Sequence, residues 1–250
     1  MSTVLLVVIG AVILGITLQR TSGMGTGLVL SPTLTLAIGP VTGILLTNAT
    51  TVAAAVVLTY AVRTDIDWGR YVRVAPTIVA GSVPAALLVY ATGSGWLEVI
   101  IGATLLLSLA ASSLLPPLGQ VPPLVAGLVA GFVGGFLNTA VGVAAAVMLV
   151  YAQVTRWEQR PFAATLQPIF LTMGVASVVT KLLVGASDTS QLPSWPLIAA
   201  TVGTVPVGVL VGTWVSRRVS AATARRVAVV LVVIGSSATL VRGLSQVISG

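Results

Sequence analysis

The chain contains no cysteine and no histidine. Disulfides, thiolate metal sites and thiol nucleophiles are therefore excluded, as are imidazole ligands and relays. Charge is scarce too. Only 7 % of the 250 residues are charged, against about 25 % in a soluble domain. Five are acidic, and each falls in a loop or near the end of an apolar run. No nucleophile–base pair or metal cluster can be composed from them, which disfavours an enzyme. A G-x-x-x-x-G-K-S/T pattern is absent, so nucleotide hydrolysis by this chain is not expected to drive it. No cofactor is expected.

Apolar sequence fills the remainder. The chain is 56 % hydrophobic with a mean hydropathy of +1.10. That much apolar surface belongs in a bilayer, and its continuous runs suit helices rather than alternating barrel strands. The expected fold is an all-α polytopic membrane helix bundle. The net charge of +7 sits on arginines flanking the runs, where it reports orientation and not nucleic-acid binding. No cationic segment precedes the first run, so it does not read as a cleaved signal peptide.

The first runs, 4–18 and 28–38, flank Arg20, Thr21, Ser22, Gly23, Gly25, Thr26 and Gly27. Alternating glycines make a continuous helix costly there. The expectation is a helix that ends and another that restarts near Gly27, its free N–H groups suited to an anion. Close helix packing is the plainer use of such glycines. Spans follow at 41–62, 74–90 and 97–115, with a polar loop at 63–73 and a turn at 92–96. A proline-rich linker, 116–123, then divides the chain. Beyond it come short helices at 124–137 and 143–153 around a second break, Asn138-Thr139-Ala-Val-Gly142. A charged loop at 156–160 precedes spans at 162–184 (interrupted at Gln167-Pro168), 195–215 and 227–248, with a four-arginine loop at 217–226.

With a shift of about 120 residues the halves correspond. Gly81-Ser-Val-Pro84 matches Gly203-Thr-Val-Pro206, Gly39-Pro40 matches Arg160-Pro161, and the two breaks match. The expected units are residues 1–115 and 124–250. The arginine-rich loop 217–226 should be cytoplasmic. Counting back, loops 156–160 and 63–73 are inside and 92–96 is outside. Equivalent loops then fall on opposite faces, which defines an inverted repeat. Both termini lie outside, the linker lies inside, and the breaks meet near the bilayer midplane.

Gly23-Met-Gly25-Thr-Gly27, its following apolar run and Pro32 resemble the N-terminal motif of the sulfite exporter TauE/SafE family, also called the 4-toluene sulfonate uptake permease family. The two-halved plan and the motif near 138–142 fit it along the whole chain. Thr26 stands where that family usually shows glycine, and Gly142-Val-Ala replaces a glycine pair and proline. The resemblance implies a plasma-membrane secondary transporter of a small sulfur anion such as sulfite, a sulfonate, sulfoacetate or thiosulfate. An anion channel, or a membrane subunit of a larger complex, is the alternative. The partners implied are the anion, the bilayer and a coupling proton or sodium ion, with a homodimer as one allowed assembly.

Candidate substrate-binding residues are the seven around the first break, Asn138, Thr139 and Gly142 at the second, and Asn48 and Gln167. Asn48 falls at the repeat position of Gln167-Pro168, so both halves place an amide there. Arg20 could fork onto two oxyanion oxygens or snorkel to the headgroups. Glu98, Lys181 and Arg242 read as interfacial anchors, or as a gate or a proton-coupling carboxylate. Trp68, Trp96, Trp157, Trp195 and Trp214 read as an aromatic belt.

Overall fold

A computed structural model describes residues 2–22, 26–114, 121–186 and 193–249, with side chains undescribed at 2, 22 and 111–114. Every regular element among the described residues is a helix. These are α1 (Ser2–Ser22), α2 (Thr26–Ile38), α3 (Pro40–Ala61), α4 (Trp68–Ala91), α5 (Ser94–Leu114), α6 (Pro123–Val141), α7 (Ala145–Val154), α8 (Gln159–Val184), α9 (Trp195–Ser216) and α10 (Ala221–Ser249). Seven are long and apolar enough to cross a membrane. The chain is a multi-pass membrane protein. At 13 and 10 residues, α2 and α7 are about 20 and 15 Å long, too short to span the roughly 30 Å core.

The helices run longer than the apolar runs. Charged residues join their ends: Arg70 and Arg73 lie on α4, Arg225 and Arg226 on α10. Asp67 caps α4 by accepting from the Arg70 N–H at 2.9 Å, which starts the helix inside the stretch read as loop. Gln167-Pro168 does not interrupt α8. A proline removes one backbone donor, and a helix packed among others tolerates that. The second break is also narrower than the sequence suggested. α6 continues through Asn138 and Thr139 and ends at Gly142. Gly142 adopts φ 80° and donates its N–H to Asn138 O at 2.9 Å, a left-handed cap that glycine takes without strain.

The main helix pairings are α4 with α6, α1 with α9, α5 with α10 and α3 with α8. Exchanging α1–α5 for α6–α10 maps this set onto itself. Small residues bring backbones close along the seams. A Cβ on Gly81 would overlap Phe132 O, and one on Gly243 would crowd Gly95 O. The matched tetrapeptides do not use their glycines alike, however. Gly81 is buried against α6, whereas Gly203 faces open space.

Two ends of the bundle are fixed by polar contacts. The loops before α4 and α8 lie side by side, joined by an Arg160–Asp65 ion pair at 3.0 Å. Thr165 Oγ1 accepts from the Asp67 N–H at 2.9 Å across the same junction. At the opposite end Arg242 of α10 pairs with Glu98 of α5 at 2.5 Å. It also donates to Thr35 O and Leu36 O at the close of α2, at 2.8 and 2.7 Å.

Candidate functional site

The two breaks touch. A Cβ on Gly27 would overlap the carbonyl oxygen of Gly142, so only glycine permits this approach. Ser31 Oγ, one turn further along α2, donates to Val141 O at the end of α6. Around the contact lies a cavity of about 20 Å³, room for roughly one water. Its walls come from the first turn of α2 (Thr26, Gly27, Leu28) and the approach to α7 (Gly142, Val143, Ala144, Ala145), with Gln19, Thr51, Asn138 and Phe170. Two helix N-termini, one from each half of the chain, thus open onto one small space. Each offers unpaired N–H groups and the positive end of a helix dipole.

One of those donors is already taken. Gln19 Oε1 accepts from the Thr26 N–H at 2.9 Å. Thr26 Oγ1 is buried beside it and has no partner among the described residues. On the far wall, Asn138 Nδ2 donates to Asn48 Oδ1 at 2.9 Å, and Asn48 Nδ2 donates to Ser177 Oγ at 2.9 Å. This buried track joins α6, α3 and α8.

A second, larger cavity of about 460 Å³ adjoins the first, and Gln19 lines both. It holds Arg20, Gln167, Asp65 and Arg160 on walls of α1, α3, α8 and α9. The Asp65–Arg160 pair stands at its rim, on the face that carries the loops before α4 and α8. It is a vestibule, with Gln19 between it and the small cavity.

The family model described as Sulfite exporter TauE/SafE matches residues 7–239. The chain belongs to the TauE/SafE sulfite exporter family. No curated protein and no solved structure gives a match.

Of the residues the TauE/SafE motifs singled out, Thr26, Gly27, Asn138 and Gly142 line the small cavity. Asn48 stands directly behind Asn138. Thr139 is fully buried, its Oγ1 without a partner among the described residues, but it is not part of the cavity wall. Thr21 Oγ1 turns back to Thr17 O at 2.8 Å. Gly23, Gly25 and the Ser22 side chain lie outside what is described. Arg20 is exposed and faces the vestibule.

Gln167 lies on the vestibule wall and donates to Ala163 O at 3.4 Å, while the α8 residue that receives Asn48 is Ser177. Glu98 and Lys181 are not interfacial anchors. Both are fully buried, and Glu98 has Arg242 as its counter-ion. Among the tryptophans, Trp157 leaves the belt. It is buried against Tyr151 and Phe162, with the Arg70 guanidinium 4.5 Å above its ring.

Gln19 was the residue missed. A lone amide at the end of an apolar run, next to a predicted helix restart, is the available signal for a side-chain cap. Ser177 carries no such signal, because only the packing of α8 on α3 brings it to Asn48.

Proposed function

We propose that this TauE/SafE member is a secondary carrier of a small sulfur oxyanion in the cell membrane, working by alternating access. Its two units would be inverted repeats, 1–115 and 124–250, joined by a cytoplasmic linker, with both termini outside. The pairing of α1 with α9 and of α4 with α6 supports two related halves, since a two-fold exchanges those pairs, and the arginine-rich loops support the inversion. The meeting of one helix N-terminus from each half carries the reading.

The anion's path follows from the geometry. A vestibule carrying Arg20 and Arg160 against Asp65 holds excess positive charge and attracts an anion from the cytoplasmic side. The amide oxygen of Gln19 occupies the place an anion oxygen would take on the Thr26 N–H. An entering anion displaces Gln19, and the cavity enlarges by the volume that side chain vacates. The Thr26 N–H and hydroxyl, the Asn138 amide and the N–H groups opening α7 then surround the oxygens. Withdrawal of Gln19 is thus both the opening of the site and the exposure of its donors.

Titration calorimetry on purified protein tests this with sulfite, thiosulfate, sulfoacetate and sulfate, with taurine and acetate as controls. Gln19→Ala removes the internal competitor and should bind the preferred anion several-fold more tightly. Gln19→Glu puts a carboxylate on the same N–H and should weaken binding more than tenfold, about 1.4 kcal/mol. Equal affinity in both variants would show that the anion binds elsewhere. Saturable counterflow in proteoliposomes distinguishes a carrier from a channel.

A further inference from the structure

Lys181 is fully buried in α8, and its Nζ has no hydrogen-bond partner among the described residues. It lies one turn beyond Ser177, on the same face of the helix. Long side chains on a helix lean toward its N-terminus, which directs the Lys181 amine back toward Ser177. Ser177 accepts from Asn48, and Asn48 accepts from Asn138 on the cavity wall. The buried polar track therefore starts at the anion cavity and ends at Ser177, one helical turn short of a single ionisable group to which it makes no hydrogen bond.

Among the described residues, no counter-charge is in place for that group. α8 packs against α3, α4 and α6. α6 carries no ionisable residue, and α3 carries only Tyr60, exposed near its far end. α4 carries Arg70, Tyr71 and Arg73 in its first turns, at the opposite end from Lys181, and Tyr90, exposed near its last. Arg160 on α8 itself is in the first turn and paired with Asp65. Glu98, whose neighbour Leu97 clusters with Ala186 just past α8, is already held by Arg242. Asp188 lies outside the described residues. A charge in such an interior needs a compensating one. An anion in the cavity, reached through the Asn138–Asn48–Ser177 track, would supply it.

We propose that Lys181, one helical turn beyond this track, is the proton-coupling site of the carrier. This rests on the carrier reading above. The amine lone pair takes one proton from water as a monoanion enters the cavity, giving an ammonium. It releases that proton when the anion leaves. One anion and one proton cross together, with no net charge moved. By linkage, the proton favours the anion as much as the anion favours the proton.

The test uses proteoliposomes of the full chain and radiolabelled methanesulfonate, which stays ionised throughout the working range, with thiosulfate as a second probe. In the parent protein a one-unit pH gradient should drive accumulation of methanesulfonate up to about tenfold, and a potassium–valinomycin potential should have no effect. Lys181→Met should bind the anion more weakly, lose the response to the pH gradient and make its remaining counterflow sensitive to the potential, since the anion would then cross alone. Lys181→Arg, which cannot release its proton, should bind methanesulfonate but lose pH-driven accumulation, so the proposal remains testable if the methionine variant fails to fold. Calorimetry in buffers of different ionisation enthalpy should show proton uptake on binding in the parent and none in Lys181→Met. Counterflow without any response to the pH gradient in the parent would overturn this proposal and leave the carrier reading standing. So would a pH response that survives in Lys181→Met. Absence of uptake and counterflow for both probes in the parent would overturn the carrier reading and this proposal with it.

Discussion

Single atoms decide the site, and Gly27 shows how. Its missing Cβ leaves room for the Gly142 carbonyl, whereas Gly10 of α1 has nothing within 4 Å of where a Cβ would stand. Gly27→Ala should therefore lower the thermal midpoint in detergent and abolish anion binding, while Gly10→Ala should change stability by no more than about 1 kcal/mol. Equal effects of the two would mean that the breaks do not touch. The glycine pattern made the first break legible, and Gly142 the second, because a left-handed cap or a backbone contact leaves few alternatives to glycine. Gln19 and Ser177 were not legible. Their roles depend on which polar group a neighbouring helix presents, and one polar residue in an apolar run does not encode that.

Between elements, the Glu98–Arg242 pair has the most partners. It joins α5 to α10, and Arg242 also takes two carbonyls at the close of α2. Removing Arg242 leaves Glu98 buried without its counter-ion, whereas Arg242, 34 % exposed, keeps access to water when Glu98 is removed, so the larger loss falls on the Arg242 variant. Glu98→Gln and Arg242→Gln should each lower the thermal midpoint. The double variant should lose less than the sum, and a double-mutant cycle on unfolding free energies measures the difference. Strict additivity would remove the pair from any structural role. The sequence placed all ten helices among the described residues but misjudged their ends. Hydropathy registers where apolar residues stop, while the helices continue into polar turns such as the one Asp67 caps. It also read Glu98 as an anchor, since a partner 144 residues away is invisible from local pattern.

At the scale of the whole molecule, the two-halved plan makes a topological prediction. Cysteines introduced at Thr64 and Ala221, both exposed, should resist an impermeant thiol reagent in intact cells. Cysteines at Ser94 and Ser194, exposed at the other ends of their helices, should react. The native chain has no cysteine to confuse the result. Labelling at position 64 with protection at position 94 would reverse the orientation. Matched loops survive as sequence, which is why a two-halved plan can be read there as an expectation. Which helices pair, α4 with α6 and α1 with α9, was not legible, because it depends on the faces that pack.

The self-filled site has a kinetic consequence. A carrier whose vacant site exposes bare donors is held back from crossing empty, and it moves its solute chiefly by exchange. Here Gln19 satisfies the Thr26 N–H when no anion is present, so the vacant form has little reason to wait. Its return stroke should be nearly as fast unloaded as loaded. Anion on the far side of the membrane should then accelerate efflux of labelled anion less than twofold in the parent protein. In Gln19→Ala, which leaves the donor bare, the same addition should accelerate it severalfold. The side chain that closes the site would thereby set whether this protein empties a compartment or merely swaps its contents.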